Sequence, residues 1–179
     1  MKQPGTDPVQ SFAAVSAAHA NTLVLGSMPG KRSLQAQRYY AHPRNSFWLI
    51  MARLLNADIS HPAQTEKDYQ QALTLLTQRG IALWDVLHLC ERATSLDADI
   101  IEDSVVANNF SDFFDRHPEV NRVFFNGAKA QQLFQRHVLP ELGSAAESLT
   151  MVKLPSTSPA HAALNFEQKL QAWRVLVDG

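Results

Sequence analysis

An α/β architecture, with a four-stranded parallel sheet covered by helices on both faces, follows from the order of segments in this 179-residue chain. Short apolar runs alternate with longer stretches of helical spacing, and no hairpin signal joins one run to the next. Ligands of such folds bind beyond the carboxyl ends of the strands, so the residues that follow each run are the first place to look for chemistry.

The first run, Thr22-Leu23-Val24-Leu25, ends at Gly26 and reads as a buried strand followed by a tight turn. Ser46 offers an N-cap for a helix over Phe47 to Leu55. A second helix is expected from Thr65 to Arg79, with Thr65 as cap, Asp68 three residues on, apolar positions at Ala72, Leu75 and Leu76, and Gly80 as the stop. Ile81-Ala82-Leu83-Trp84 is the next strand, with Asp85 at its end. Asn109 to Arg116 reads as a short helix, Arg122 to Phe125 as a strand, Ala128 to Val138 as a helix and Leu149 to Leu154 as the last strand. Asn165 caps a final helix over Phe166 to Val177, whose Leu170, Trp173, Val175 and Leu176 form an apolar face. The strand ends therefore carry the Gly26 loop, Asp85, Asn126-Gly127 and the Pro155 loop.

The length suits one domain spanning residues 1–179, with residues 1–10 as a flexible extension. That polar N-terminus lacks the basic-then-apolar order of a secretory signal, and no apolar run approaches the ~20 residues of a membrane span. We therefore expect a cytoplasmic protein with no membrane partner, and a monomer. The single Cys90 suits a reducing compartment and excludes a four-thiolate cluster. Seven histidines show no ligand-like pairing with carboxylates, so neither metal nor cofactor is expected.

A net charge of −1 is a poor overall match for nucleic acid, but the charge is unevenly placed. From Pro8 to Ala57 there is no Asp or Glu, while Lys31, Arg32, Arg38, Arg44 and Arg53 all fall within that stretch. Smaller acid-free stretches run from Val120 to Pro140 and from Ser148 to Phe166. Such patches suit local contact with a few phosphates, although solvated loops would look the same. Gly26-Ser27-Met28-Pro29-Gly30-Lys31-Arg32-Ser33 has neither the P-loop nor the dinucleotide spacing, and Pro29 removes a backbone donor, which disfavours a mononucleotide cradle.

Three segments taken together are more specific: Gly26-Ser27-Met28-Pro29-Gly30, Tyr39-Tyr40-Ala41-His42-Pro43-Arg44-Asn45-Ser46-Phe47-Trp48, and Leu154-Pro155-Ser156-Thr157-Ser158-Pro159-Ala160. In this combination the chain resembles the uracil-DNA glycosylase superfamily, and most nearly its deoxyinosine (hypoxanthine) branch, from Phe12 to Trp173. The resemblance implies a three-layer α/β/α sandwich with a central four-stranded parallel sheet. It also implies a repair enzyme that hydrolyses the N-glycosidic bond of a deaminated base in DNA, most nearly hypoxanthine, and leaves an abasic site. The alternatives are a uracil- or mismatch-specific glycosylase, and a non-catalytic module of the same fold that binds damaged DNA.

The resemblance also suggests roles. Asn45 is the catalytic candidate, its amide either orienting water or donating to the leaving base; the competing reading is a residue that only shapes the helix start. Ser27 stands where related uracil enzymes carry an acid or amide, and a serine without an activating partner is a poor base. Phe47 is expected to stack on the extruded base, with Met28 and Tyr40 beside it. Asp85 falls where uracil enzymes place a base-reading Asn, and a carboxylate there suits the N1–H of hypoxanthine; a turn cap is the alternative. Leu154 replaces an expected His. Ser156, Thr157, His161, Lys31 and Arg44 are left as DNA contacts. No lysine stands out as a Schiff-base nucleophile, which favours a monofunctional enzyme.

Overall fold

The computed structural model describes residues 8–57 and 65–178. Four strands form a parallel sheet: β2 (Thr22–Gly26), β3 (Ile81–Asp85), β6 (Arg122–Asn126) and β7 (Thr150–Leu154), in the order β3-β2-β6-β7. The register is continuous, with Gly26 opposite Asp85 and Asn126 opposite Leu154, so all four carboxyl ends lie along one edge of the domain.

The period-two alternation of these strands divides the core into two. Leu23, Leu25, Ala82, Trp84, Val123 and Phe125 pack on one face with Phe110 and Phe113 of α4 (Phe110–Arg116) and Leu133 and Phe134 of α5 (Ala128–His137). Val24, Ile81, Leu83 and Phe124 pack on the other, against α2 (Phe47–Leu54), α3 (Glu66–Gln78) and α7 (Phe166–Trp173). β2, β3 and β6 are buried through their middles and read as unbroken apolar runs, whereas the edge strand β7 exposes Thr150 and Lys153.

Helix boundaries follow their caps. Thr65 accepts from the Asp68 amide to open α3, Asn109 accepts from Asp112 to open α4, and Asn165 forms a reciprocal capping box with Gln168 at α7. Gly80 ends the α3 segment at φ 71°, a conformation that costs glycine little. Ser46 precedes α2 but does not cap it: its Oγ donates to the Thr157 carbonyl, 3.3 Å away. The last helix ends at Trp173, and Arg174–Leu176 continues as a 3₁₀ turn.

The sequence reading missed a second, antiparallel sheet of three short strands, β1 (Pro8–Gln10), β4 (Leu87–Glu91) and β5 (Val106–Ala107), in the order β1-β4-β5. β4 follows β3 after Val86 alone, so one extended segment serves both sheets. Residues 1–7 of the expected flexible extension lie outside the described residues, but Pro8–Gln10 pairs with β4 and belongs to the fold. Also missed was α1 (Lys31–Ala36), a six-residue helix too short to show a periodic apolar face. Among the described residues no helix is long and apolar enough to cross a membrane.

Candidate active site

The parallel register places Gly26 beside Asp85 at the site edge. A Cβ on Gly26 would fall 2.5 Å from Asp85 Oδ1 and 3.1 Å from the Tyr40 hydroxyl, so the absent side chain is what admits both groups. Asp85 is 3% exposed, and its Oδ2 is buried without a hydrogen-bond partner among the described residues. Desolvation, with the Asp97 charge adding to it and Arg92 opposing, pushes the Asp85 carboxyl up to about 7. The Tyr40 hydroxyl is likewise buried and unpartnered, and Tyr40 holds a left-handed backbone at φ 55°. Burial, then the nearby Asp85, raises the Tyr40 phenol well above its ordinary range against the opposing influence of the Asn126 amide, which lies near without reaching hydrogen-bond geometry. The phenol therefore stays protonated and able to donate. Orphaned buried polar atoms are rare, and these two belong to side chains that both approach Gly26.

Phe47 is fully buried. Its ring stacks on Tyr40 at 4.1 Å between centroids and 27° between planes, with Trp48 and Trp173 against it edge-on. Tyr40, half-buried, therefore covers the ring that the sequence reading assigned to the base. Met28 is also buried and belongs to the core cluster on the α4 and α5 side of the sheet.

Asn45 stands at the start of α2. Its Oδ1 accepts from the Phe47 amide at 3.0 Å, which shapes the start of α2. Because a backbone N–H needs an acceptor, this bond fixes the amide orientation, with Nδ2 as its donor end. Asn45 can donate through Nδ2, and one lone pair of its Oδ1 is already engaged.

One pair of residues joins the loops of the site. Asn126 Nδ2 donates to Thr157 Oγ1 and Asn126 Oδ1 accepts from the Thr157 amide, both at 2.9 Å, while the Thr157 carbonyl accepts from the Ser46 amide at 3.1 Å. Thr157 is 1% exposed with its polar groups engaged, so it is a knot between the loops and is not placed to grip a phosphate. Ser156 and His161 are half-buried, and Lys31 and Arg44 are exposed. Of the other cations in the acid-free stretch, Arg38 pairs with Glu66 at 3.1 Å. The Pro155 loop is strapped from α7: Trp173 Nε1 donates to the Pro155 carbonyl at 2.9 Å, and the buried Lys169 reaches the Ser158 carbonyl at 3.4 Å. Leu154 is buried in the core and offers the site no polar group.

Two charged residues that the sequence did not single out also stand here. Ser27, nearly buried, donates from Oγ to Asp97 Oδ1 at 2.6 Å. Arg92 is buried, donates from Nη2 to the Pro29 carbonyl and leaves Nη1 without a partner among the described residues. Both come from the segment after β4, where Ser, Thr and Asp read only as loop, and nothing local reveals that Asp97 meets a residue 70 positions away. An open surface recess lined by Gln10, Phe12, Val15, Gln37, Tyr39 and Tyr69 contains none of these groups. No group of His, Cys, Asp or Glu among the described residues is arranged to hold a metal ion.

Comparison with known proteins agrees with the fold. A solution NMR structure of a candidate uracil DNA glycosylase from Methanosarcina acetivorans superposes with a TM-score of 0.72 at 27% identity, covering 95% of this chain and 99% of that one. Two curated relatives, each named hypoxanthine DNA glycosylase, match over 121 residues: one from Methanosarcina barkeri at 33% identity and one from M. acetivorans at 31%, covering 68% of this chain and 72% of each relative. The family model of the uracil DNA glycosylase superfamily matches residues 12–177, nearly the whole chain, and the chain belongs to that superfamily.

Proposed function

We propose that this protein is a monofunctional DNA glycosylase that removes deaminated bases, hypoxanthine foremost, by hydrolysis of the C1′–N bond, leaving an abasic site. The observation that carries the reading is the buried Asp85 carboxyl, set against Gly26 at the strand ends with its Oδ2 unpartnered among the described residues. The names of the two relatives favour hypoxanthine.

The base must leave the duplex to be read. Hypoxanthine presents an N1–H donor beside its O6 acceptor. Ionised Asp85 accepts from N1–H, and protonated Asp85 also donates to O6; a carboxyl pushed up to about 7 supplies both forms near neutral pH. The Tyr40–Phe47 stack serves as the shelf for the base, with Tyr40 facing it and Phe47 behind. Stacking of this kind contributes ~1–3 kcal/mol per base. As the bond breaks, negative charge gathers on the purine, and the Asn45 Nδ2 donor stabilises it. The exposed Lys31 and Arg44, with Ser156 and His161, contact the backbone of the DNA. The buried Lys169 reaches the Ser158 carbonyl at 3.4 Å, which supports water rather than an amine as the nucleophile.

Duplexes carrying deoxyinosine, uracil or xanthine, incubated with the protein and then treated with alkali, provide the test. Strand shortening with deoxyinosine, and none without alkali, is the expected result. Preferred cleavage of the uracil duplex would move the assignment to a uracil enzyme. DNA binding with no product from any substrate would leave a binding module.

A further inference from the structure

We infer that Asp97 is a positioning residue for the attacking water, acting through Ser27 as the carboxylate that the Gly26 loop itself lacks. The inference rests on the glycosylase reading above and assigns a residue that lies outside all three motifs.

The geometry leaves Ser27 one role. A hydroxyl has a single proton, and Ser27 commits its proton to Asp97 Oδ1 at 2.6 Å, within the range of a strong charge-assisted bond. What Oγ has left are lone pairs, so Ser27 can only accept, and a water bound to it is held with one O–H toward Ser27 and its own lone pairs turned away. The Ser27 backbone is pinned as well: its carbonyl accepts from the Leu87 amide at 3.1 Å, and the adjacent Gly26 carbonyl accepts from Val86 at 2.8 Å.

Asp97 is held over the loop from several directions. The Ser95 hydroxyl accepts from the Lys31 amide at 2.9 Å, Arg92 bridges to Ile100 and donates to the Pro29 carbonyl, and Glu102 is anchored by Lys129 at 2.8 Å and Arg136 at 3.1 Å. Asp97 as a residue is exposed, but its carboxyl turns inward. That desolvation raises its proton affinity, while the Ser27 bond, Arg92 and Lys129 act the other way. A carboxylate made more basic and joined to an acceptor-only hydroxyl suits the capture of a proton from water.

In the proposed step the C1′–N bond breaks with its electron pair leaving on the base, and the water oxygen bonds to C1′. The water proton passes through Ser27 Oγ to Asp97 as the Ser27 proton moves onto the carboxylate. Asp97 then releases its proton to solvent, and the base anion takes one up. Water and the nucleotide are the only reactants.

The test uses the full chain and a deoxyinosine duplex under single-turnover conditions, with thermal melting as the check on folding. Asp97→Asn keeps the shape and removes the base: the excision rate should fall by about 100-fold while the DNA dissociation constant changes by less than about twofold. In the double variant Ser27→Asp/Asp97→Ala, the carboxylate moves into the space that Asp97 vacates, and the rate should recover by at least about tenfold over Asp97→Ala alone. A purely structural role for Asp97 would not allow that recovery. Asp97→Asn within about threefold of the parent rate, or a folded double variant with no recovery, overturns the inference. Should the parent protein excise no base from the substrate panel, it is the glycosylase reading that falls.

Discussion

Gly26 and Asp85 face each other across adjacent parallel strands with no room for a methyl group between them, since a Cβ on Gly26 would lie 2.5 Å from Asp85 Oδ1. The glycine is therefore part of how the carboxyl is held.

Gly26→Ala should displace Asp85 and press on the Tyr40 hydroxyl. Overpacking of this kind costs about 1–3 kcal/mol. We expect a melting point lowered accordingly and a larger proportional loss of deoxyinosine excision, read by melting curves and single-turnover assays on the same preparation.

Asp85→Asn should stabilise the protein at high pH while damaging its proposed substrate preference. With the carboxyl ordinarily at 3.8 and raised to about 7 in the fold, the folded state retains between those pH values a proton that the unfolded chain has released. Wild-type stability therefore declines as pH rises from 3.8 to about 7, by an amount on the order of 4 kcal/mol. The Asn variant lacks this decline. Its advantage in urea unfolding should be near zero at pH 4 and largest at pH 8, and excision should shift from deoxyinosine toward uracil. A pH-independent difference between the two proteins would contradict the raised carboxyl.

Asn45→Asp and Asn45→Ala separate the two ends of one amide. Asp retains an acceptor for the Phe47 amide and loses the Nδ2 donor; Ala loses both. Both variants should lose excision by about 100-fold, the usual effect of removing a donor to a developing anion. Only Asn45→Ala should also lose stability, by about 1 kcal/mol. Equal melting points for the two would show that the Phe47 contact carries no stability.

Asn126→Ala strips two partners from the buried Thr157, its amide and its hydroxyl. Leaving buried polar groups unpaired costs about 1–3 kcal/mol each. The Pro155 loop should loosen, seen as faster amide exchange at residues 156–158. Deoxyinosine duplex binding should weaken because Ser156 and His161 lose their fixed positions.

Most of the sheet was legible because β2, β3 and β6 are buried on both faces, which writes each as an apolar run: Leu23 to Leu25, Ala82 to Trp84 and Val123 to Phe125 needed no partner to be recognised. The caps at Thr65 and Asn165 were legible for a related reason, since each side chain bonds to a backbone amide three residues on. Short edge pairings were not legible. β1 and β5 have three and two residues, and their pairing with β4 is decided by a neighbour far along the chain.

The sequence by itself determined the family, the parallel sheet and the strand ends where Gly26, Asp85 and Asn126 emerge, because local hydrogen bonding and hydrophobic spacing encode these. Only the tertiary structure decided that Phe47 lies beneath Tyr40, that Thr157 is tied to Asn126, and that Ser27 has Asp97 as its partner. Each of these relationships joins segments whose meeting depends on the packing of the whole domain. A buried hydroxyl or ring takes its role from what it touches, and no local pattern records a contact made across 70 positions.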